Sequence, residues 1–326
     1  YHFSEKTSVG INTRLYNQHQ DLTLSETQKG DSETEEWNLG IKFDRRFNKH
    51  WNAYFELYST AFIAEEHLNT PSKTVLNFFD QRFVRPELRI HYNNEKNQSI
   101  IFGLGTTHES LYRTNFTTKP VFDAPYLYAQ FDGKLNDKVN IIIGARFDNH
   151  NKYQAQFSPK LALRFRFNER IALKTSIGYG FKAPDFRQLY FDFSNSTIGY
   201  TVLGYNAVST RLPALEASGQ IATTLVDLSN FDANLKAESS ISFNLGLDFR
   251  PSERLSSSIN IFRNNIQNLI DTQVVARKTN GQNVFSYFNL DQVFTQGIEF
   301  NQFWKWNDHF SLKEGINSCM PKTKKP

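Results

Sequence analysis

The chain has 326 residues and a formal net charge of +4, and 15% of its residues are aromatic. Its mean hydropathy of −0.54, without any apolar stretch near 18 residues, excludes a helical membrane protein. A single cysteine, Cys319, excludes a disulfide scaffold and a CxxC metal site. The near balance of 37 basic and 33 acidic residues argues against a dedicated nucleic-acid binder.

Alternation of apolar and polar residues runs through most of the chain. A period of two is the period of a β-strand, whose successive side chains point to opposite faces. In chain order, the clearest alternating segments are 37–44, 84–92, 139–147, 161–167, 171–181 and 241–249. One face of each is apolar, and the other carries glycine, polar and charged residues such as Arg85, Glu87 and Arg164. The sequence therefore predicts an all-β protein with two chemically different faces.

The links between these segments are of two kinds. Short polar turns with a similar signature lie at 47–51, 93–96, 135–139, 167–171, 251–254 and 306–310. Longer polar stretches, interpreted as loops, lie at 17–34, 63–77, 109–119, 182–236 and 276–282. Short turns at one end and long loops at the other are typical of an outer-membrane β-barrel. The turns predict 12 or 13 strands, and a helix inside the longest loop near Ala207 to Leu225, interrupted by Pro213.

A soluble β-sandwich or propeller shows the same alternation, so the fold depends on whether the apolar face contacts lipid or is buried against protein. Three features favour lipid. The second face is charged and glycine-rich, which suits a watery lumen, and aromatics such as Trp51, Trp304 and Trp306 cluster near strand ends. The turn spacing is also too uneven for propeller blades. We predict a transmembrane antiparallel up-and-down β-barrel, incomplete here, with 12–13 strands of a larger barrel of the 22-stranded kind. No domain boundary is visible within 1–326.

Four blocks occur in a fixed order in the second half of the chain. They read IGYGFKAPDFRQLY at 177–190, FDANLKAESSISFN at 231–244, NIFRNNIQNLI at 260–270 and YFNLDQVFTQGIEF at 287–300. Together they resemble the barrel half of TonB-dependent outer-membrane receptors of the siderophore, haem and cobalamin group. The resemblance covers most of Ile171 to Phe300, and the N-terminal third matches by pattern alone.

The resemblance implies a location in the outer membrane of a Gram-negative bacterium, in contact with its lipid. It also implies import of a scarce metal-bearing ligand, namely a ferric siderophore, haem or cobalamin, with energy from TonB passed to an N-terminal plug domain. The protein itself needs no cofactor, because the ligand carries the iron or cobalt. The plug domain, the TonB-contacting segment and the C-terminal closing strands are absent from this sequence, so we expect a fragment that does not transport alone.

The resemblance places ligand binding in the long outer loops, chiefly Lys182 to Lys236. Haem receptors of similar arrangement have a histidine between the FKAP and DANL blocks. This chain has no histidine there, and tyrosines are the potential iron ligands in that segment. A phenolate can bind haem iron, but the same tyrosines can equally pack the loop. Basic residues can steer an anionic ligand or pair with carboxylates of a wet wall. The candidate substrate-binding residues are Arg187, Tyr190, Tyr200, Tyr205 and His108.

Other classes of function stay open at this point. The chain shows no histidine pair with metal-ligand spacing and no catalytic grouping, so we expect neither a metal centre nor an enzyme. A TonB-independent porin or adhesin barrel is the main alternative. A soluble carbohydrate-binding or propeller protein would bury the apolar faces against each other. An outer-membrane lipase or protease is the least favoured, and would need a loop serine near a histidine.

Overall fold

Thirteen long β-strands make up most of the computed structural model, which describes residues 2–69, 74–96, 98–114, 116, 119–194 and 199–323. In chain order the elements are β1 (His2–Ser4), β2 (Thr7–Ser25), β3 (Gln28–Arg46), β4 (Trp51–Asn69), β5 (Thr74–Asn93), β6 (Ser99–Arg113), β7 (Val121–Lys134), β8 (Val139–Asp148), β9 (Gln156–Arg166), β10 (Ile171–Lys182), α1 (Phe186–Tyr190), β11 (Asp192–Ser194), β12 (Thr201–Leu203), α2 (Tyr205–Ala217), β13 (Ile221–Thr224), a 3-10 helix (Leu228–Phe231), β14 (Glu238–Ser252), β15 (Leu255–Lys278), β16 (Asn283–Lys305) and β17 (Ser311–Thr323). Within these ranges no helix is long and apolar enough to cross a membrane.

The long strands form an antiparallel meander. Each of β2 to β9 pairs with the next strand, β10 pairs directly with β14, and β14 to β17 continue in order. Among the described residues β17 does not pair with β1 or β2, so the sheet is not closed. The predicted up-and-down barrel wall of 12–13 strands is confirmed. The predicted helix is confirmed as α2, although it begins at Tyr205 and ends earlier, at Ala217.

Several stretches interpreted as loops are strands instead. The polar segment 17–34 continues as β2 and β3 to a turn of only two residues, Glu26 and Thr27. In the same way, β4 and β5 extend through most of 63–77, of which 70–73 lie outside the described residues. Beyond the membrane both faces of a strand meet water, so the alternation disappears while the ladder of backbone hydrogen bonds continues. The prediction of long loops at these two places was wrong for that reason.

The short turns share one structural cause. In four of them an asparagine side chain accepts hydrogen bonds from the backbone N–H groups two and three residues further along the chain. Asn48 Oδ1 is 2.8 Å from His50 N and 3.0 Å from Trp51 N. The same arrangement recurs at Asn136, Asn168 and Asn307. This Asx turn explains the repeated signature and reverses the chain at one end of the sheet.

The two faces of the sheet differ as predicted. The outward face, defined by Leu127, Leu245 and Ile261, presents large apolar side chains, with Leu245 and Ile261 each 50% exposed. No second layer covers this band in the described structure, so a sandwich with buried apolar faces is excluded. Trp51, 45% exposed, and Trp306, 59% exposed, lie at the boundaries between strands and short turns, as an interfacial girdle requires.

The inward face carries a network centred on Glu87 of β5. Its carboxylate accepts hydrogen bonds from Tyr126 Oη at 2.5 Å and Tyr128 Oη at 3.2 Å, both from β7. These phenols reach across β6 above Gly105 and Gly103, which occupy the intervening register positions. A Cβ at Gly103 would lie 2.2 Å from Tyr128 Cζ. The two glycines therefore make room for the network, as expected of small inward residues.

Candidate functional site

Residues 183–237, here called the outer loop, connect β10 to β14 at the end of the sheet opposite the Asx turns. Instead of projecting freely, the outer loop folds into a packed unit with its own short strands and helices. Its apolar core includes Leu203, Val208 and Leu212, all with 0% exposure. That core continues into inward side chains of the wall at Leu111, Phe122, Ile270 and Tyr287.

The sequence DFRQ fixes the start of α1. Asp185 Oδ1 accepts from Gln188 N at 2.7 Å, and Gln188 Oε1 accepts from Asp185 N at 3.0 Å. This reciprocal capping box satisfies two backbone donors at once. It positions Phe186 to stack on Phe122 of β7, with ring centroids 4.0 Å apart. One end of the outer loop is thereby attached to β7.

Replacing Asp185 with alanine should destabilise α1 by about 1 kcal/mol, because it removes the cap from Gln188 N. We expect amide hydrogen exchange within α1 to accelerate about fivefold, while exchange in β7 stays unchanged. Asp185→Asn keeps a capping oxygen and should exchange as the wild type does. Equal exchange in the alanine variant and the wild type would contradict a role for the cap.

The other end of the outer loop attaches to distant strands. β12 pairs in parallel with β16, and β13 pairs antiparallel with β15. Because β8, β9, β10, β14 and β15 lie between β7 and β16, the outer loop spans a wide section of the inward face. It therefore lies across the outer end of the lumen. An ion pair between Arg211 Nε and Asp192 Oδ2, 2.5 Å apart, joins α2 to β11 inside it.

The tyrosines predicted from sequence lie within this unit. Tyr190 is half-buried on α1, and burial raises the pKa of its phenol, while a hydrogen bond with Asn206 lowers it. Tyr200 packs against Phe193 and Phe285, with centroids 6.2 and 6.4 Å away. Tyr205 is buried, and its hydroxyl donates to Asn230 O at 2.6 Å. These positions fit the packing interpretation. For Tyr190 and Tyr205, burial raises the pKa of the phenol and so opposes formation of the phenolate that haem iron would need.

Two charged candidates lie in different places. Arg187 is exposed on α1, next to the buried Phe186 and close enough to Tyr287 to affect its ionisation. His108 lies on β6 in register with Asp123, and its Nδ1 is 2.7 Å from Asp123 Oδ1. Since His108 shares the outward face with Leu104 and Leu127, the structure does not bring it together with the outer-loop residues.

Sequence reasoning missed a second aromatic group beside α1. His150 and Tyr153 follow β8, and the His150 ring lies 5.0 Å from Phe122 and 5.1 Å from Tyr153. Burial raises the pKa of Tyr153, and the nearby Tyr190 and Asp185 raise it further. Burial lowers the pKa of His150. At neutral pH the phenols of Tyr153 and Tyr190 are protonated and can donate hydrogen bonds, and the imidazole of His150 is uncharged. No sequence signal in this short loop indicated the grouping.

The basic residues of the wall are mostly neutralised. Arg89 Nη2 lies 2.9 Å from Glu56 Oε2, Arg146 Nη2 lies 2.7 Å from Asp148 Oδ1, and Lys174 Nζ lies 2.6 Å from Asp248 Oδ2. Pairing with carboxylates was the second interpretation of these residues. Across the described ranges, no three His, Cys, Asp or Glu side chains are grouped so that they could hold a metal ion.

A meander with an apolar outward face, a polar inward face, tight turns at one end and a folded loop at the other defines an outer-membrane β-barrel. Residues 1–318 match the family described as TonB dependent receptor-like, beta-barrel. The chain therefore belongs to the TonB-dependent receptors, and its wall lies in the outer membrane of a Gram-negative bacterium.

Curated relatives resemble the chain in sequence, and solved structures resemble it in fold. The chain is 26% identical over 187 residues to the "Probable TonB-dependent siderophore receptor PirA" of Acinetobacter baumannii, covering 53% of this chain and 22% of the relative. It is 26% identical over 201 residues to the "Ferrienterobactin receptor" of Escherichia coli K12, covering 61% and 24%. The matches thus span less than a quarter of these relatives. The siderophore receptor PirA from Pseudomonas aeruginosa has a similar fold, with a TM-score of 0.62 at 16% identity, covering 97% of this chain and 66% of that one.

Proposed function

We propose that this chain forms the wall and outer loop of a receptor that binds a ferric siderophore outside the cell and imports it with energy from TonB. The family match over residues 1–318 carries the proposal. The curated relatives add the ligand class, because their names describe siderophore or ferric enterobactin receptors. The proposal assigns 1–326 to one β-barrel domain that works with the family's plug domain. An enzymatic role has no support.

Ligand contact is proposed at α1. Arg187 is exposed there, Tyr190 lies three residues further along the same helix, and the phenol of Tyr153 lies close to that of Tyr190. A guanidinium attracts an anionic ferric catecholate, and protonated phenols donate hydrogen bonds to its oxygens. Haem is less well supported, because burial keeps Tyr190 protonated. Tyr200 remains a candidate contact, whereas Tyr205 already donates to Asn230 and His108 faces outward.

Growth of a deletion strain that carries the full-length gene tests the proposal. Under iron limitation we expect a ferric catecholate to restore growth, and haem to fail as an iron source. Cobalamin, tested in a corrinoid-dependent background, should fail too. Failure of every iron and corrin source would contradict import.

The ligand-contact part needs its own variant. Arg187→Gln should raise the ferric catecholate concentration for half-maximal growth about tenfold or more, since a hydrogen bond to a charged group contributes roughly 1.5–3 kcal/mol. Arg254→Gln, in a turn at the opposite end of the wall, should leave that concentration unchanged. An equal response of both variants would place ligand contact elsewhere.

A further inference from the structure

An arginine of β15, Arg263, lies on the lipid-facing side of the wall. Arg263 lies on β15, in register with Phe243 of β14 and Gln296 of β16. The neighbouring outward positions are apolar or uncharged on four strands. They are Leu173, Thr175, Ile177 and Tyr179 on β10; Ile241, Phe243, Leu245, Leu247 and Phe249 on β14; Ile259, Ile261 and Asn265 on β15; and Phe294, Gln296, Ile298 and Phe300 on β16. Arg263 is thus the one charged side chain among these named positions.

Neutral groups hold Arg263 in place. Its Nε donates to Asn265 Oδ1 at 3.0 Å, and its Nη1 donates to Gln296 Oε1 at 3.1 Å. The guanidinium carbon lies 4.3 Å from the ring centroid of Phe294. None of these partners carries a negative charge, and within the described ranges Arg263 forms no ion pair, in contrast to Arg89 and Arg146 of the inward wall. The side chain is oriented while its positive charge stays uncompensated.

The depth of Arg263 explains how this charge is tolerated. Toward the Asx-turn end, β15 continues outward with Ile261 and Ile259, and toward the outer-loop end with Asn265 and Gln267. Arg263 therefore marks the upper border of the apolar band on its strand. A lipid-facing arginine costs about 2–4 kcal/mol at the middle of a bilayer but only roughly 0–1 near its edge. The edge on the outer-loop side is where the headgroups of the outer leaflet lie.

Arg263 is one of the residues that line a groove in the apolar band. The groove has a volume of about 800 Å³. Its walls include Leu161, Ile177, Phe243, Ile261, Ile298 and Met320, together with the polar residues Arg263 and Gln296. Thr175 and Ser318 stand between the larger residues and leave the groove open. An apolar groove with a single cation among its lining residues is complementary to an acyl chain joined to an anion.

We propose that Arg263 and this groove bind one phosphate-bearing acylated lipid of the outer leaflet. The guanidinium binds the phosphate through a charge-assisted hydrogen bond, and the groove takes an acyl chain. Phosphate fits because the site supplies one oriented cation at headgroup depth and no carboxylate to repel the anion. The site is separate from the inward face and the outer loop, so it does not depend on siderophore import.

Lipid binding to the full-length receptor tests the proposal. Purified receptor in a neutral detergent is titrated with bisphosphorylated hexa-acyl lipid A, and native mass spectrometry measures the fraction that carries one lipid. Arg263→Gln should weaken binding about fivefold, the loss expected for one basic residue at a headgroup. Arg263→Lys keeps the charge on which attraction to an anionic headgroup depends, and should bind within about twofold of the wild type. Arg277→Gln, further out on the same strand and exposed, is the matched control and should bind normally.

Three results would overturn the site. Equal binding by Arg263→Gln and the wild type would remove Arg263 from lipid recognition. Equal affinity for the same lipid without its phosphates would exclude phosphate as the recognised group. Competition by inorganic phosphate at the lipid's own concentration would indicate a free-anion site. If the glutamine variant does not fold, as judged by loss of the compact band in an unheated SDS gel, the lysine variant and the dephosphorylated lipid decide the question.

Discussion

Alanine in place of Gly105 is expected to destabilise the barrel by about 2 kcal/mol, within the usual range for overpacking a well-packed position. A Cβ there would lie 2.7 Å from Pro86 O and 2.7 Å from Tyr126 Oη. Because one of these atoms belongs to the backbone, a change of rotamer cannot relieve the contact. We also expect the hydrogen bond from Tyr126 to Glu87 to be lost, since the phenol has to leave the space above Gly105.

The temperature at which the compact barrel band disappears from an SDS gel measures this effect. Gly10→Ala and Gly40→Ala are matched controls on the same inward face, because the nearest atoms to a Cβ there are 3.9 Å away. These controls should match or slightly exceed the wild type, as glycine weakens a strand. A loss of stability in the controls as large as that of Gly105→Ala would show that the cost is not steric.

A substitution at Gly103 tests the steric clash with a tyrosine side chain separately from the clash with backbone. The three atoms nearest to a Cβ there all belong to the ring and hydroxyl of Tyr128, at 2.2–2.6 Å. Gly103→Ala alone should therefore destabilise the barrel, and Tyr128→Val in the same chain should recover most of the steric loss. The double-mutant cycle should give a coupling of about 1 kcal/mol or more. Additive effects would mean that Tyr128 does not occupy this space.

The network around Gly103 and Gly105 shows which parts of the structure can be predicted from the sequence. Alternation predicts that Glu87, Gly103 and Gly105 face the lumen, because the side-chain period of a strand is fixed. It does not predict that Tyr126 and Tyr128 reach across one strand to Glu87. That contact depends on the registers of β5, β6 and β7, which are set by turns at both ends of the strands.

Sequence patterns predicted the strands best in the segments that contact lipid. Between the Asx turns and the border marked by Arg263, the outward residues must be apolar, so strands such as β10 and β14 are visible from alternation alone. Outside the membrane that requirement ends, and the water-exposed hairpin of β2 and β3 looks like loop. Errors in strand length follow from the change of solvent and not from weak strand propensity.

The interior of the outer loop was the least predictable region. The capping box at Asp185 and Gln188 can be read locally, because it uses residues three apart. The stacking of Phe186 on Phe122 and the parallel pairing of β12 with β16 join residues more than 60 positions apart. Such contacts have no periodic signal, so the sequence indicated where the long loop lies without indicating that it is a packed unit.

Removal of that packing is the second large effect that we expect. Leu212→Ala should destabilise the outer loop by about 3 kcal/mol, because Leu212 has 0% exposure in the core that joins α2 to the wall. Leu225→Ala is the matched control, since Leu225 is 49% exposed in the same loop, and should change stability by less than about 0.5 kcal/mol.

Hydrogen exchange and ligand binding measure the effect of Leu212→Ala on the outer loop. In Leu212→Ala, amides of α1 and α2 should exchange about a hundredfold faster, as 3 kcal/mol of local stability implies. Amides in the apolar band of β14 should not change. Affinity for a ferric catecholate should fall only as far as the folded loop is depopulated. Unchanged exchange in α2 would contradict the packed loop, whereas equal acceleration in β14 would show that loop and wall unfold as one unit.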